Sequence, residues 1–229
     1  MFCKEFRDRQ PEYYRAAIAN GSVCVNGKAV EESYKIRNGD CISHTIHRHE
    51  PPVSSRPVKV VHHNPETGFL VIDKPAGIPV HAAGRYHQNS IVTILRLELG
   101  FPEASPGNRL DRLTSGIMLL GLNKDITNQI HLQLSLRSVQ KEYYCRVAGK
   151  FPEGEISVDM PIASVSPKHG LNRLRPDGKH AFTVFERVFY DENRHQSVVI
   201  AKPLTGRTHQ IRYVTFGRRL TSKEFIYNI

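Results

Sequence analysis

Apolar and polar positions fall in short blocks separated by clear turn signals. Near the start, Tyr13-Tyr14-Arg15-Ala16-Ala17-Ile18 reads as a helix, and Asn20-Gly21 supplies its stop. Val23-Cys24-Val25 then runs into Asn26-Gly27, the strongest short hairpin signal, and Lys28-Ala29-Val30 leaves it. Gly39-Asp40 marks a second turn before Cys41-Ile42. Residues 1–50 therefore read as a small α/β unit. Prolines and short polar residues over 51–57 predict a stiffened linker, so the main domain is expected over 58–229.

In that domain Phe69-Leu70-Val71-Ile72 is a buried strand, closed by the turn Asp73-Lys74-Pro75-Ala76-Gly77. Asn89-Ser90 can cap a helix whose face is Ile91, Ile94 and Leu95, stopping at Gly100. Ile117-Met118-Leu119-Leu120-Gly121-Leu122 reads as a second buried strand. Residues 124–137 fit a helix with Ile126, Ile130 and Leu134 at fourfold spacing, and residues 141–149 are rich in strand formers. A basic loop over 166–180 (Lys168, Arg173, Arg175, Lys179, one acid, Asp177) precedes strands from Phe182 to Phe189 and Val198 to Ala201. From Lys202 to Arg219 come five basic residues and no acid, with Tyr213 and Phe216 interleaved. That stretch suits a nucleic-acid face as well as plain solvated surface.

At 229 residues the chain can bury a real core, and 39% hydrophobic with 24% charged residues is ordinary for a globular protein. Lys+Arg 32 against Asp+Glu 22 gives a net charge of +10. The excess favours polyanionic partners, nucleic acid first and an anionic membrane surface second. No run approaches the roughly 18 apolar residues of a transmembrane helix, and the first residues lack the apolar core of a secretion signal. Cys3, Cys24, Cys41 and Cys145 are scattered without a C-x-x-C pair, which suits reduced intracellular thiols. His44, His47 and His49 cluster but lack Cys or carboxylate companions at ligand spacing, so no metal is expected.

The chemistry centres on Asn108-Arg109-Leu110-Asp111-Arg112-Leu113-Thr114-Ser115-Gly116, a loop feeding the Ile117 strand. Flanking arginines favour an ionised Asp111, and an ionised carboxylate can attack carbon. The same residues also read as a surface Arg–Asp–Arg turn capped by Thr and Ser.

The loop resembles the H-R-L-D-x-x-T-S-G signature of RluA-type pseudouridine synthases in eight of nine positions, Asn108 standing where the family has His. Asp73-Lys74-Pro75 through Val80-His81 is similar to the family's D-K-P-x-G-x-x-V-H segment, which is largely architectural. Lys141-Glu142-Tyr143 resembles its K-x-Y segment, and Thr205-Gly206-Arg207-Thr208-His209-Gln210-Ile211-Arg212 its T-G-R-T-H-Q-I-R motif. The resemblance implies Asp111 as nucleophile, Arg207 as the cation paired with it and Tyr143 as the ring stacked on the target base. Arg109, Arg112, Lys141, His209 and Arg212 become candidate RNA contacts. Gly21, Val25-Asn26-Gly27 and Gly39-Asp40 resemble part of an S4 RNA-binding module.

The implied fold is α+β: a mixed, mostly antiparallel sheet with flanking helices, a cleft across its middle, and the S4-like unit in front. The implied reaction converts uridine in RNA to pseudouridine without cofactor or metal, in a monomer. The resemblance is especially to the eukaryotic branch, whose members act on anticodon-loop uridines of tRNA and in some cases on mRNA. Beyond Tyr213 the match stops, so the chain is expected to lack part of the family's C-terminal core. The alternative is a non-catalytic RNA-binding protein derived from such a domain.

Overall fold

In the computed structural model, the described residues are 5, 9–47, 49–166, 171–217 and 227–228. Cys3, Lys168, Arg218 and Arg219 lie outside them. The chain divides into two compact units, residues 1–49 and 50–229.

The first unit holds α1 (Pro11–Ala19) and three short strands, β1 (Val23–Val25), β2 (Lys28–Ala29) and β3 (Ile42–His44), ordered β2-β1-β3. Pro11 opens the helix, where a missing N–H costs nothing. Asn26 (φ 52°) and Gly27 (φ 74°) take the left-handed pair that a two-residue hairpin between twisted strands demands. Asn26 also bonds Asp40 and the Cys41 amide, joining the two turns. Tyr14, Ala17, Val23 and Val25 form the buried face.

The second unit begins with residues that do not behave as a free linker: Val53 packs on its core. Glu50 accepts the amides of His87, Gln88 and Asn89 at 2.7, 2.6 and 2.9 Å. These contacts within the unit take up the apolar and acidic members of a stretch that composition alone marks as punctuation. Its first sheet contains β4 (Lys59–Asn64), β5 (Phe69–Lys74), β6 (Ser105–Pro106) and β7 (Gly116–Gly121), in the order β4-β5-β7-β6. Leu70 and Ile72 of β5, Met118 and Leu120 of β7, and Ile91 and Leu95 of α2 (Ile91–Leu97) fill one core. Each such side chain contributes about 1.5–3 kcal/mol on burial. Ser90 caps α2 by accepting the Thr93 amide.

Helix α3 (Lys124–Ser135), capped by Asn123, lies against β7. Its approach is close because Gly107 and Gly121 have no Cβ: one would collide with Ile130 and the other with Thr127. The second sheet comprises β8 (Tyr143–Ala148), β9 (Glu155–Asp159), β12 (Phe182–Asp191), β13 (Gln196–Pro203) and β14 (Tyr227–Asn228), ordered β14-β8-β13-β12-β9. Phe151, Phe185, Val147, Val158 and Val199 are its fully buried core. Strand β11 (Leu171–Leu174) falls within the stretch expected as a basic loop and pairs with β10 (Ile162–Ser166), which leads into it, and α4 (Gln210–Gly217) occupies the basic stretch near the end.

All strand pairs among the described residues are antiparallel, as the α+β reading implies. The main sheet is not one ladder, however, but two, each with its own core. Tyr143 packs against both cores. No helix among the described residues is long and apolar enough to cross a membrane.

Candidate active site

Strand β5 alternates, and Leu70, Ile72 and Lys74 point to the same buried face. Lys74 is therefore driven into the interior at 0% exposure. Its Nζ donates to three carbonyls, of Pro75 (2.9 Å), Arg112 (3.2 Å) and Thr114 (2.8 Å). The Gly77 amide donates to the same Arg112 carbonyl at 2.7 Å. The loop bearing Asp111 is thus stapled to the end of β5. Desolvation lowers the Lys74 amine to about 8, with the Asp111 charge opposing and the Arg112 charge adding to the fall.

Within the loop, Leu110 is buried in the first core and the Thr114 amide closes a turn onto the Asp111 carbonyl (3.0 Å). Asn108 Oδ1 accepts the Leu119 amide at 2.8 Å. The Gly107 amide donates to the Leu119 carbonyl, also at 2.8 Å, so the Asn108 side chain prolongs the β6–β7 ladder. The residue that departs from the signature thus ties the loop to β7.

Asp111 faces a cleft of about 610 Å³ lined by the loop, the end of α3, Lys141, Tyr143 and residues 203–212. Its Oδ2 lies 2.6 Å from His209 Nδ1 and 3.6 Å from Arg212 Nε. Burial acts to raise the carboxyl's pKa. The His209 hydrogen bond and charge, then Arg212 and Arg109, more than offset this and hold it below the usual range. Asp111 is therefore ionised at neutral pH. Oδ1 accepts no hydrogen bond among the described residues.

His209 reaches Asp111 from a left-handed backbone (φ 56°) just before α4. Gln210, 4% exposed, holds that conformation. Its carbonyl oxygen accepts from Thr205 Oγ1 (2.8 Å) and the Arg207 amide (3.0 Å). Its Nε2 donates to the Phe182 carbonyl (3.1 Å) and Thr183 Oγ1 (3.0 Å). This amide is saturated on both ends, so the loop before α4 is rigid.

One expected role changes. Arg207, expected beside Asp111, instead donates Nε to the His180 carbonyl at 3.0 Å. Arg212, in the first turn of α4 and three residues on from His209, takes that place because this spacing puts both side chains on the side of the carboxylate. Arg112 lies over the Tyr86 ring, 5.8 Å from its centroid, and does not line the cleft, whereas Arg109 does. Tyr143 lines the cleft, its hydroxyl pKa raised by burial and then by the charges of Asp111 and Cys145. Lys141 lines it too, with Nζ 3.5 Å from the Thr205 carbonyl. Motif spacing marks neither Lys74 nor Gln210 as a site residue. The β5 alternation carried a signal for Lys74. Gln210's partners come from β12 and are visible only in three dimensions.

Comparison with known proteins gives this arrangement a lineage. The family model for RNA pseudouridylate synthase matches residues 68–215, which include every residue of the cleft. The chain belongs to that family. Among pseudouridylate synthases, it is 49% identical over 216 residues to "tRNA pseudouridine(32) synthase, mitochondrial" of Saccharomyces cerevisiae, covering 93% of this chain and 46% of the relative. It is 42% identical over 213 residues to human "Pseudouridylate synthase RPUSD2", covering 93% and 38%. The chain thus spans about half or less of the length of these curated relatives. The solved structure of human RNA pseudouridylate synthase domain containing 4 superposes with TM-score 0.55 at 25% identity, over 69% of this chain and 64% of that one. Human RNA pseudouridylate synthase domain containing 1 shares the fold at TM-score 0.59 and 23% identity, over 73% and 68%.

Proposed function

We propose that this chain isomerises uridine within RNA, tRNA first and mRNA second, with Asp111 as nucleophile. The observation that carries the reading is the state of that carboxylate. It is ionised, held through Oδ2 by His209 and Arg212, and open at Oδ1 to a cleft large enough for a nucleotide. Oδ1 attacks C1′ as the N1–C1′ bond breaks, the uracil rotates, and C5 then bonds C1′ as the Oδ1–C1′ bond breaks, which frees the carboxylate. C5 gives up a proton and N1 gains one, so substrate and product are isomers and no redox partner enters. Tyr143 offers a flat ring at the cleft wall on which a base can stack, and Arg109 a cation at its rim. A paired uridine must first leave its stack, at a cost of a few kcal/mol, which favours loop targets.

Support for tRNA comes from the yeast relative, which is named for tRNA and for mitochondria, and an intracellular site of action for this chain follows the same reading. The non-catalytic alternative rests on Asn108 and on the divergent stretch after Tyr213. The bond of Asn108 to Leu119 keeps the loop in place and supports the catalytic reading. The test is pseudouridine formation on total tRNA by the purified chain and by Asp111→Asn. The expected outcome is product from the wild type alone, with the variant's RNA affinity unchanged within a few-fold. A wild type that folds and binds RNA yet yields no product is the binder.

A further inference from the structure

Among the described residues, the cleft contains more positive charge than one carboxylate can use. Asp111 is the single acid among the described residues of its lining, against Arg109, Arg137, Lys141, Arg207 and Arg212. Arg212 pairs with Asp111, and Arg109 adds to the field that keeps it ionised. The other three have no carboxylate oxygen within 4.0 Å among the described residues. Among the described residues, Lys141 Nζ and Arg207 Nε reach only neutral carbonyls, of Thr205 and His180. Burial, then the neighbouring Arg137 charge, pulls the Lys141 ammonium below its usual pKa, as expected where cations gather without an anion. Gly206 leaves bare backbone beside that ammonium: a Cβ built there would lie 3.7 Å from Nζ.

Arg137 is the least expected of the three. Helix α3 ends in a Schellman motif: the Ser138 amide donates to the Gln133 carbonyl (3.0 Å) and the Arg137 amide to the Leu134 carbonyl (3.2 Å). Arg137 is the residue after the cap, at φ 60°, where glycine is the default and a side chain is disfavoured. The backbone has no need of an arginine there, and glycine would serve it better. The side chain lines the cleft. A strained position occupied by a cation that faces a site is a functional signal.

We infer that Arg137, Lys141 and Arg207 form a phosphate-binding wall of the cleft, gripping an RNA backbone phosphodiester beside the nucleotide presented to Asp111. The inference rests on the reading of the chain as an RNA uridine isomerase. Two guanidiniums and an ammonium suit phosphate oxygens in geometry and charge, and such contacts position the strand without reading its sequence. The wall would set which nucleotide, counted along the strand, stops opposite Tyr143.

The experiment measures binding of the full chain to an RNA hairpin with uridines in its loop, in an Asp111→Asn background that prevents turnover. Salt is varied from about 50 to about 200 mM. Arg137→Gly and Lys141→Gln are compared singly and together, each with a thermal melt. Each single variant is expected to bind several-fold more weakly at low salt, with the slope of log K on log salt reduced by about 0.7 per lost single-strand contact. Arg137→Gly is expected to melt at the same or a higher temperature, because glycine relieves the left-handed backbone. A lower melting temperature would make Arg137 structural and overturn its place in the wall. Unchanged salt slopes in both variants, with the Asp111→Asn parent still binding, would overturn the wall alone. A parent that binds no RNA would remove the isomerase reading and the wall with it.

Discussion

Replacing Lys74 by Met keeps the stem volume in the first core and removes the ammonium that staples the Asp111 loop. Hydrogen bonds to a charged group contribute roughly 1.5–3 kcal/mol each, and Lys74 makes three. Against this stands the cost of burying the charge. A fall of the amine from 10.5 to about 8 corresponds to about 3 kcal/mol at roughly 1.4 kcal/mol per pH unit. Partial relaxation of the freed carbonyls toward water offsets more, so the expected net loss at pH 7 is about 2–4 kcal/mol. The pH dependence has a definite sign. Between about 8 and 10.5 the unfolded chain holds the Lys74 proton that the folded chain has released, so the wild type gains stability relative to the variant as pH rises through that window. Urea unfolding of both proteins at pH 7, 8, 9 and 10 (about one-unit steps across the window) reads the gap directly. Pseudouridine formation at saturating RNA is expected to fall about 100-fold, since a displacement near 1 Å at the reacting group costs that much. A variant as stable as wild type at pH 7 with full turnover would show that Lys74 does not hold the loop. A gap that stays constant with pH would show that its charge is not desolvated.

His209→Ala removes the hydrogen bond that does most to keep Asp111 ionised against burial. Turnover is expected to drop about 10–100-fold, roughly 1.4–2.7 kcal/mol in barrier, and the acid limb of the kcat/KM profile to move to higher pH; an unmoved limb would place His209 outside the carboxylate's control. Asn108→Ala is expected to cost about 1 kcal/mol through the unpaired Leu119 amide, with a matching loss of turnover. Asn108→His restores a ring-nitrogen acceptor and is expected to recover most of both; if alanine is harmless to stability and rate, the ladder contact has no bearing on the site.

The positions of most elements were legible along the chain because their causes are local. Asn26-Gly27 demands a left-handed pair, Ser90 and Asn123 cap the helices they precede, and the apolar runs at 69–72 and 117–122 can satisfy themselves only as buried strands. Short, polar or edge strands carried no such signal: β4 is almost wholly exposed, and β11 sits where basic residues mark a loop. Helix α4 was hidden by its charge, since the basic stretch 202–219 reads as surface until Gln210 finds its partners on β12.

The sequence by itself determined the lineage and the Asp111 loop, since residue types at fixed spacing are a one-dimensional property. Tertiary structure decided which cation meets the carboxylate. Arg207 and Arg212 stand in one motif, and no spacing rule separates them. Only the turn into α4, locked by a buried glutamine, sends Arg207 to the His180 carbonyl and brings Arg212 and His209 to Asp111. The same is true of Lys74: its identity is plain in the chain, but that its ammonium holds a loop some forty residues away follows from the pairing of β5 with β7. Charge partners are set by which elements pack together, and packing is a property of the whole fold.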